Sequence, residues 1–250
     1  MNKLMEKKPI LHAVIWIIIY IVLVNIGDAL SELTGVTNSV TSGVLIAFSI
    51  VLVLYLKGNN RFETYGIKGI TKKDLRQTLF YAPLIMLALI QYSAGIDNKL
   101  SMTEIAISCL LMMGVGFIEE LIFRGFLFQG IYEKSGANKA ILISGITFGI
   151  GHVVNLLRGY SFTDQLIQII VAITIGIVLA LIVAITKNIV PGIIFHIAFN
   201  ISGTITNDES NLEIYLMIAI LGISIFYAIY LSRFLHNKMM SHNSRNASTL

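Results

Sequence analysis

Apolar residues run along this chain in long stretches, interrupted at short polar intervals. A membrane-spanning helix needs about 20 mostly apolar residues. Eight stretches approach that length: about 10–30, 40–56, 78–96, 103–131, 139–157, 164–186, 189–205 and 212–232. The pattern predicts an all-α fold, a polytopic bundle of about eight transmembrane helices forming one integral-membrane domain over residues 1–250. The first stretch follows a short basic segment, is too long for the apolar part of a signal peptide and lacks a small-residue cleavage site, so it is expected to stay as a helix. No repeat of 20 to 50 residues is visible, and no linker divides the chain.

Composition sharpens that reading. Of 250 residues, 56% are hydrophobic and 13% charged, with a mean hydropathy of +0.80. Soluble domains carry about 25% charged residues, so the deficit marks a membrane protein. Cys109 is the single cysteine and can make no intrachain disulfide. The net charge of +4 is not a nucleic-acid signal, because of where the charges fall. With the N-terminus in the cytoplasm, the inner segments carry Lys3, Lys7, Lys8, Lys57, Arg61, Lys68, Lys72, Lys73, Arg76, Lys134, Lys139, Lys187, Arg233, Lys238 and Arg245, and the outer ones only Lys99 and Arg158. That is 15 against 2, which with Arg124 accounts for all 18. The positive-inside rule then puts both termini in the cytoplasm, with the basic 57–76 segment against anionic lipid.

A few polar groups lie deep inside these spans, where charge is expensive. In FIEELIFRGFLFQG (117–130), Glu120 and Arg124 are four residues apart and can pair on one helix face. Glu119 points about 100° away around the helix and has no such partner along it. ITFGIGHVVN places Phe148 and His152 on one face, with Asn155 beyond; PGIIFHIAFN does the same for His196 and Asn200. Measured from the cytoplasmic helix ends at about 1.5 Å per residue, Glu119 and His152 lie about 20 Å deep, Asn200 about 18 Å and His196 about 12 Å. Four polar groups from three helices therefore converge on one slab near the midplane.

The chemistry such a set supports is hydrolysis by activated water. There is no GxSxG elbow, no serine beside these groups, and Cys109 is about 15 Å from Glu119 along the helix. A carboxylate in a dry pocket is suited to take a proton from water. An imidazole can hold that water, while a second imidazole and an amide N–H stabilise an oxyanion. Alternatively, Glu119, His152 and His196 could ligate zinc or another divalent metal with one position open for water. The spacing is not HExxH.

The motifs EExxxR (Glu119, Glu120, Arg124), FxxxH (Phe148, His152) and HxxxN (His196, Asn200), in that order on separate helices, resemble the CAAX-protease and bacteriocin-processing family. This family of intramembrane proteases includes the CAAX-prenyl endopeptidases. The resemblance spans 117–200, and the motif core extends over about 103–205. It implies an endopeptidase in which Glu119 activates water and His152 holds that water or a metal. His196 and Asn200 would form the oxyanion hole, with Glu120, Arg124 and Phe148 supporting the site. Family members are usually described as metalloproteases, and a metal-independent glutamate mechanism is also known as a proposal, so the resemblance leaves the metal open. The implied partners are the bilayer and a membrane-associated peptide or protein: a pheromone, a bacteriocin precursor or a membrane protein in a bacterial plasma membrane. Two rival readings are a non-catalytic bacteriocin self-immunity or scaffold protein and a proton-coupled transporter; the latter lacks the repeats and paired broken helices that transporters show.

The 15-to-2 split predicts that cysteines in 57–76 and in the C-terminal tail react with an impermeant thiol reagent only after cells are permeabilised, while those in 97–101 and 206–211 react in intact cells. Labelling of residue 68 from outside would contradict this topology.

Overall fold

A computed structural model describes residues 1–69, 78–154, 162–207 and 212–247. Among them the chain is helical, and the only β pairing is an isolated bridge between Ile96 and Thr206. The helices are α1 (Asn2–Lys7), α2 (Pro9–Thr34), α3 (Ser39–Gly58), α4 (Thr78–Ile90, continued by a 3-10 turn Gln91–Ala94), α5 (Met102–Glu119), a π-helical segment (Glu120–Leu127), α6 (Phe128–Gly151), α7 (Phe162–Thr186), α8 (Val190–Ile205) and α9 (Glu213–Ala247).

Among the described residues, five helical stretches are long and apolar enough to cross a membrane: Pro9–Thr34, Ser39–Gly58, Met102–Val154, Gln165–Thr186 and Ile214–Ser241. Phe80–Ala94 and Val190–Ile205 are shorter apolar helices. The sequence pattern divides 103–157 into two spans around a seven-residue polar interval. The chain instead stays helical through that interval, except at Gly136, whose φ of 79° and ψ of 177° break the helix at one residue. Only glycine takes that conformation at little cost. The break is a reversal: the rings of Phe123 and Phe148 lie 5.4 Å apart, whereas 25 residues of straight helix would separate them by about 37 Å. The hydroxyl of Ser144 likewise donates to the carbonyl of Phe123 at 2.8 Å.

The two ends of the bundle are distinct. At one, Ile189 N–H donates to the Gly66 carbonyl at 2.8 Å, Lys187 sits 3.7 Å over the Tyr132 ring, and Lys238 donates to the Ile185 carbonyl at 3.0 Å. At the other, Asp97 N–H donates to Ile205 and Asn207 N–H to Gly95, both at 3.0 Å. Lys187 and Lys238, both counted as inner, lie at the first end.

The most buried span is α7: 61% of its most apolar window is covered, against 22% for α2 and α9. It packs closely on α6 through glycines, as expected where small residues let membrane helices approach. A Cβ on Gly145 would stand 2.9 Å from the backbone nitrogen of Ile177, and one on Gly149 would stand 2.7 Å from that of Ile173. Gly145→Ala therefore meets rigid backbone and should destabilise the folded protein by roughly 1–3 kcal/mol, the usual cost of overpacking. Gly43→Ala, with open space around its Cβ, should be neutral or stabilising through better helix propensity. Melting temperatures in detergent check the pair; equal melting of both variants would contradict the close approach.

Candidate active site

The helix that carries Glu119 starts at a well-made cap. In Ser101-Met-Thr-Glu104 the serine hydroxyl accepts from the Glu104 N–H while the Glu104 carboxylate accepts from the Ser101 N–H, a reciprocal capping box. Near its far end α5 presses against α8. A Cβ on Gly116 would lie 2.7 Å from Cγ1 of Ile197 and 3.0 Å from its backbone nitrogen. Gly116 is one turn before Glu119 and Ile197 follows His196, so this glycine sets how closely the two functional side chains approach.

At Glu120 the winding changes from α to π, and all eight residues of the π segment are buried. Such segments are rare and are often found at functional sites. Glu120 and Arg124 have no side-chain exposure, and Nη1 of Arg124 lies 2.9 Å from Oε1 of Glu120. The guanidinium also stands 4.2 Å over the Phe148 ring, and its Nη2 donates to the Gly176 carbonyl at 3.4 Å. The same Oε1 of Glu120 lies 3.1 Å from Nδ1 of His196. A Cβ on Gly192 would sit 3.0 Å from Oε2 of Glu120, so α8 reaches this carboxylate through a glycine as well.

Glu119 takes the other side of the same imidazole: its Oε2 is 3.5 Å from Nε2 of His196. Two adjacent carboxylates, splayed around one helix, thus bracket one ring. A neutral imidazole has one donor nitrogen and one acceptor. If Nδ1 carries the hydrogen and donates to Glu120, Nε2 turns a lone pair toward Glu119; this tautomer is assigned from the partners, as it must be. The remaining oxygen of Glu119, Oε1, accepts a 2.8 Å hydrogen bond from the Tyr20 hydroxyl on α2. Glu119 therefore has partners from two other helices, although its own helix supplies none.

Phe148 organises the second half of the site. Its ring meets His152 edge-on with centroids 5.6 Å apart and His196 with centroids 5.5 Å apart, besides Phe123 and Arg124. Glu119, His152, Phe148 and Asn200 line a cavity of about 720 Å³, bordered also by Tyr20. His196 is not part of the lining; it stands behind Glu119. The structure thus brings together Glu119, Glu120, Arg124, Phe148, His152, His196 and Asn200, while Asn155 falls outside the described residues. Tyr20 was not singled out by the motifs. Its signal was a hydroxyl-bearing ring in the middle of an Ile/Val run, 11 residues or about 16 Å from the start of α2 and so near the depth of Glu119.

Among the described residues no three His, Cys, Asp or Glu side chains are arranged to hold a metal ion. Glu119 and His196 touch, but both nitrogens of His196 face carboxylates. A ligand set of Glu119, His152 and His196 would need Nε2 and the His152 ring to turn to a common point.

Residues 101–202 match the family model described as type II CAAX prenyl endopeptidase, Rce1-like. The match contains every motif position named above and agrees with the CAAX-protease resemblance. Comparison with curated proteins and with solved structures found no match.

The shared carboxylate predicts two separable effects. Glu120→Gln leaves the Arg124 charge buried without its counter-charge, at a cost of about 3–5 kcal/mol, so folded yield should fall. Glu120→Gln with Arg124→Gln removes both charges and should recover much of the yield. It should not restore any activity that needs His196 held at Nδ1 by a carboxylate. Size-exclusion yield, melting temperature and hydrolysis on each variant check this; a fully active double variant would show that Glu120 serves only its arginine.

Proposed function

We propose that this chain is an intramembrane endopeptidase that hydrolyses a peptide bond in a membrane-associated peptide or protein, using water activated by Glu119. The observation that carries the reading is the bracketing of His196 by two adjacent carboxylates, one locked to Arg124 and the other lining the cavity. The Rce1-like match over 101–202 supports the same class of reaction. The topology that goes with it has eight membrane-crossing segments, the 102–154 hairpin counting as two, with both termini in the cytoplasm and the motif core within 103–205.

In this reading Glu119 takes a proton from water as the oxygen bonds to the scissile carbonyl carbon. The carbonyl electrons move to oxygen, and the oxyanion is met by donors on the cavity wall, Asn200 with its amide N–H and His152 with its ring N–H. The latter stands in place of His196, to which the family resemblance gives this role but whose ring is not on the cavity wall. As the tetrahedral intermediate collapses, the C–N bond breaks and the proton on Glu119 passes to the leaving amine, leaving the carboxylate ready again. Tyr20 is a positioning residue that donates to Oε1 of Glu119, His196 stands 3.5 Å from the other oxygen, and Glu120 and Arg124 fix the His196 ring. A divalent metal held by Glu119, His152 and His196 would supply Lewis acidity at the same place. Candidate substrates are a peptide pheromone, a bacteriocin precursor or a membrane protein.

Glu119→Gln tests the base. Glutamine can still accept from Tyr20, and its amide N–H can meet Nε2 of His196, so the melting temperature should stay close to that of the parent protein. Peptide cleavage should fall by about 10² or more, the usual worth of general-base catalysis. Cleavage rate and melting temperature, measured on one preparation of each protein, decide it. A variant that cleaves normally, or that loses activity only in proportion to lost folded protein, would return Glu119 to a structural role. Chelator resistance of the parent protein would favour the base alone; chelator inhibition, with less bound metal in Glu119→Gln, would favour a ligand role.

A further inference from the structure

A second concavity shares no lining residue with the cavity at Glu119. It is a groove of about 750 Å³ between α4, α7 and α9, lined among others by Phe80, Pro83, Ile185, Phe226, Tyr227 and Phe234. Ligand sites commonly fall between about 300 and 1,000 Å³. The floor of the groove is fixed: the hydroxyl of the buried Tyr227 donates to the Phe80 carbonyl at 2.6 Å and ties α9 to α4. The Phe80 ring also meets Phe234, with centroids 5.7 Å apart. Phe226, Tyr230 and Phe234 stay exposed, so an aromatic wall is turned outward, toward the bilayer.

One end of this groove is cationic. Ile185 lines it, and the Ile185 carbonyl accepts a 3.0 Å hydrogen bond from Nζ of Lys238. The lysine therefore stands at the rim, at the lysine-rich end of the bundle. An ammonium carries three donors, and this carbonyl takes one of them. At about 100° per residue, Arg233 falls about 20° to one side of Phe226, and Lys238 about 20° beyond Tyr227 on the other. The two cations thus flank the aromatic stripe of α9 at its end. The last apolar stretch of the sequence closes at about 232, which puts both at the level where helix-end cations and aromatic rings meet lipid headgroups. Residues 78–94, 165–186 and 214–241, which form the walls, contain no Asp or Glu.

We propose that this groove binds one anionic phospholipid, with an acyl chain along the aromatic wall and the phosphate between Arg233 and Lys238. Five rings line the groove, and apolar contact with them suits the chain of any lipid; the cations select a negative headgroup. A second copy of the chain is a poorer occupant. Two copies inserted the same way meet at equal depth across a two-fold interface, where a patch faces itself. That would set Arg233 and Lys238 against their own counterparts, with no carboxylate on the walls between them. A bound lipid ties α4 and α9 to α7, the span whose Gly176 carbonyl accepts from Arg124. The inference goes beyond the endopeptidase reading and does not depend on it.

The test needs no hydrolysis. Full-length protein, delipidated in detergent, is titrated with dioleoylphosphatidylglycerol, with dioleoylphosphatidylcholine, or with glycerol 3-phosphate as a headgroup lacking chains. The readouts are melting temperature and the lipid retained per chain in native mass spectrometry. Phosphatidylglycerol should raise the melting temperature and stay bound as a single molecule, well ahead of phosphatidylcholine, and glycerol 3-phosphate should do neither. Lys238→Gln keeps a donor for the Ile185 carbonyl and removes the charge. It should weaken phosphatidylglycerol binding by about fivefold, the usual worth of one basic residue at an anionic lipid surface, and leave phosphatidylcholine unchanged. Ala82→Phe puts a ring into the groove from its exposed α4 wall and should abolish retention with both cations in place. Equal effects of the two lipids, or no effect of Lys238→Gln, would overturn the anionic selection. Glycerol 3-phosphate matching the lipid would reduce the site to one for phosphate alone. Retention that survives Ala82→Phe would move the lipid out of the groove, and a delipidated dimer that Ala82→Phe dissociates would give the groove to a second copy; either result overturns the proposal.

Discussion

A guanidinium with no solvent exposure, inside a bundle built from membrane-length helices, needs a counter-charge held in fixed geometry, because removing one member of a buried pair costs far more than the pair contributes. Arg124 finds that counter-charge one turn away at Glu120, and the rest of the site follows from how Glu120 is then used. Its Oε1 faces both the arginine and Nδ1 of His196. The arginine fixes the carboxylate, the carboxylate fixes the ring, and the ring presents Nε2 to Glu119. The second carboxylate is thereby placed on a cavity wall beside a basic nitrogen, with Tyr20 holding its other oxygen. Charge that is structural at residue 120 becomes available for chemistry at residue 119.

That arrangement depends on interhelical distances, and glycines set them. Between apolar helices in lipid there is little hydrophobic drive to associate, so close backbone approach and a few polar contacts do most of the work. Gly116 brings α5 onto the backbone of α8 next to His196, Gly192 lets α8 reach Glu120, and Gly145 and Gly149 seat α6 on α7. The first two bear on the Glu119–His196 separation directly or through one neighbour. The α6–α7 contact holds Phe148, which spaces the two histidine rings. Polar reactive groups are thus gathered at the meeting of the most rigid contacts, while the cavity opens on the side where α2 and α3 are tied by hydroxyls and amides.

Much of this was legible in the sequence, for identifiable reasons. Glu120 and Arg124 could be paired because four residues on a helix is a local rule. Glu119, His152, His196 and Asn200 could be brought to one slab because helix rise converts residue number into depth. What sequence reasoning could not supply was azimuth: which way each face turns depends on the packing of neighbouring helices. That is why Glu119 looked unpartnered along its own helix, although Tyr20 reaches it from 99 residues away. For the same reason the α2 positions His12, Trp16, Tyr20, Val24 and Asp28, spaced four apart, passed as part of an apolar span. Trp16 donates to His12 at 2.9 Å, Tyr20 to Glu119, and Asp28 accepts from Thr41, so the stripe is a polar spine facing inward. The reversal at Gly136 was also missed in form. A polar interval that reads as a loop is a continuous helix broken at one residue, because a single left-handed glycine suffices to turn it.

The account treats Glu119 and His196 as one functional unit, and groups that act as a unit show losses that do not multiply. The most direct measurement is a double-mutant cycle on hydrolysis, with Glu119→Gln, His196→Ala and the combination assayed on folded, purified protein against one peptide. Each single change is expected to lower kcat by about 10² or more, and the double variant should be no slower than the slower single one. Losses that multiply, so that the double variant falls by the product of the two, would mean that the imidazole and the carboxylate act independently and would contradict the Glu119–His196 unit at the centre of this site.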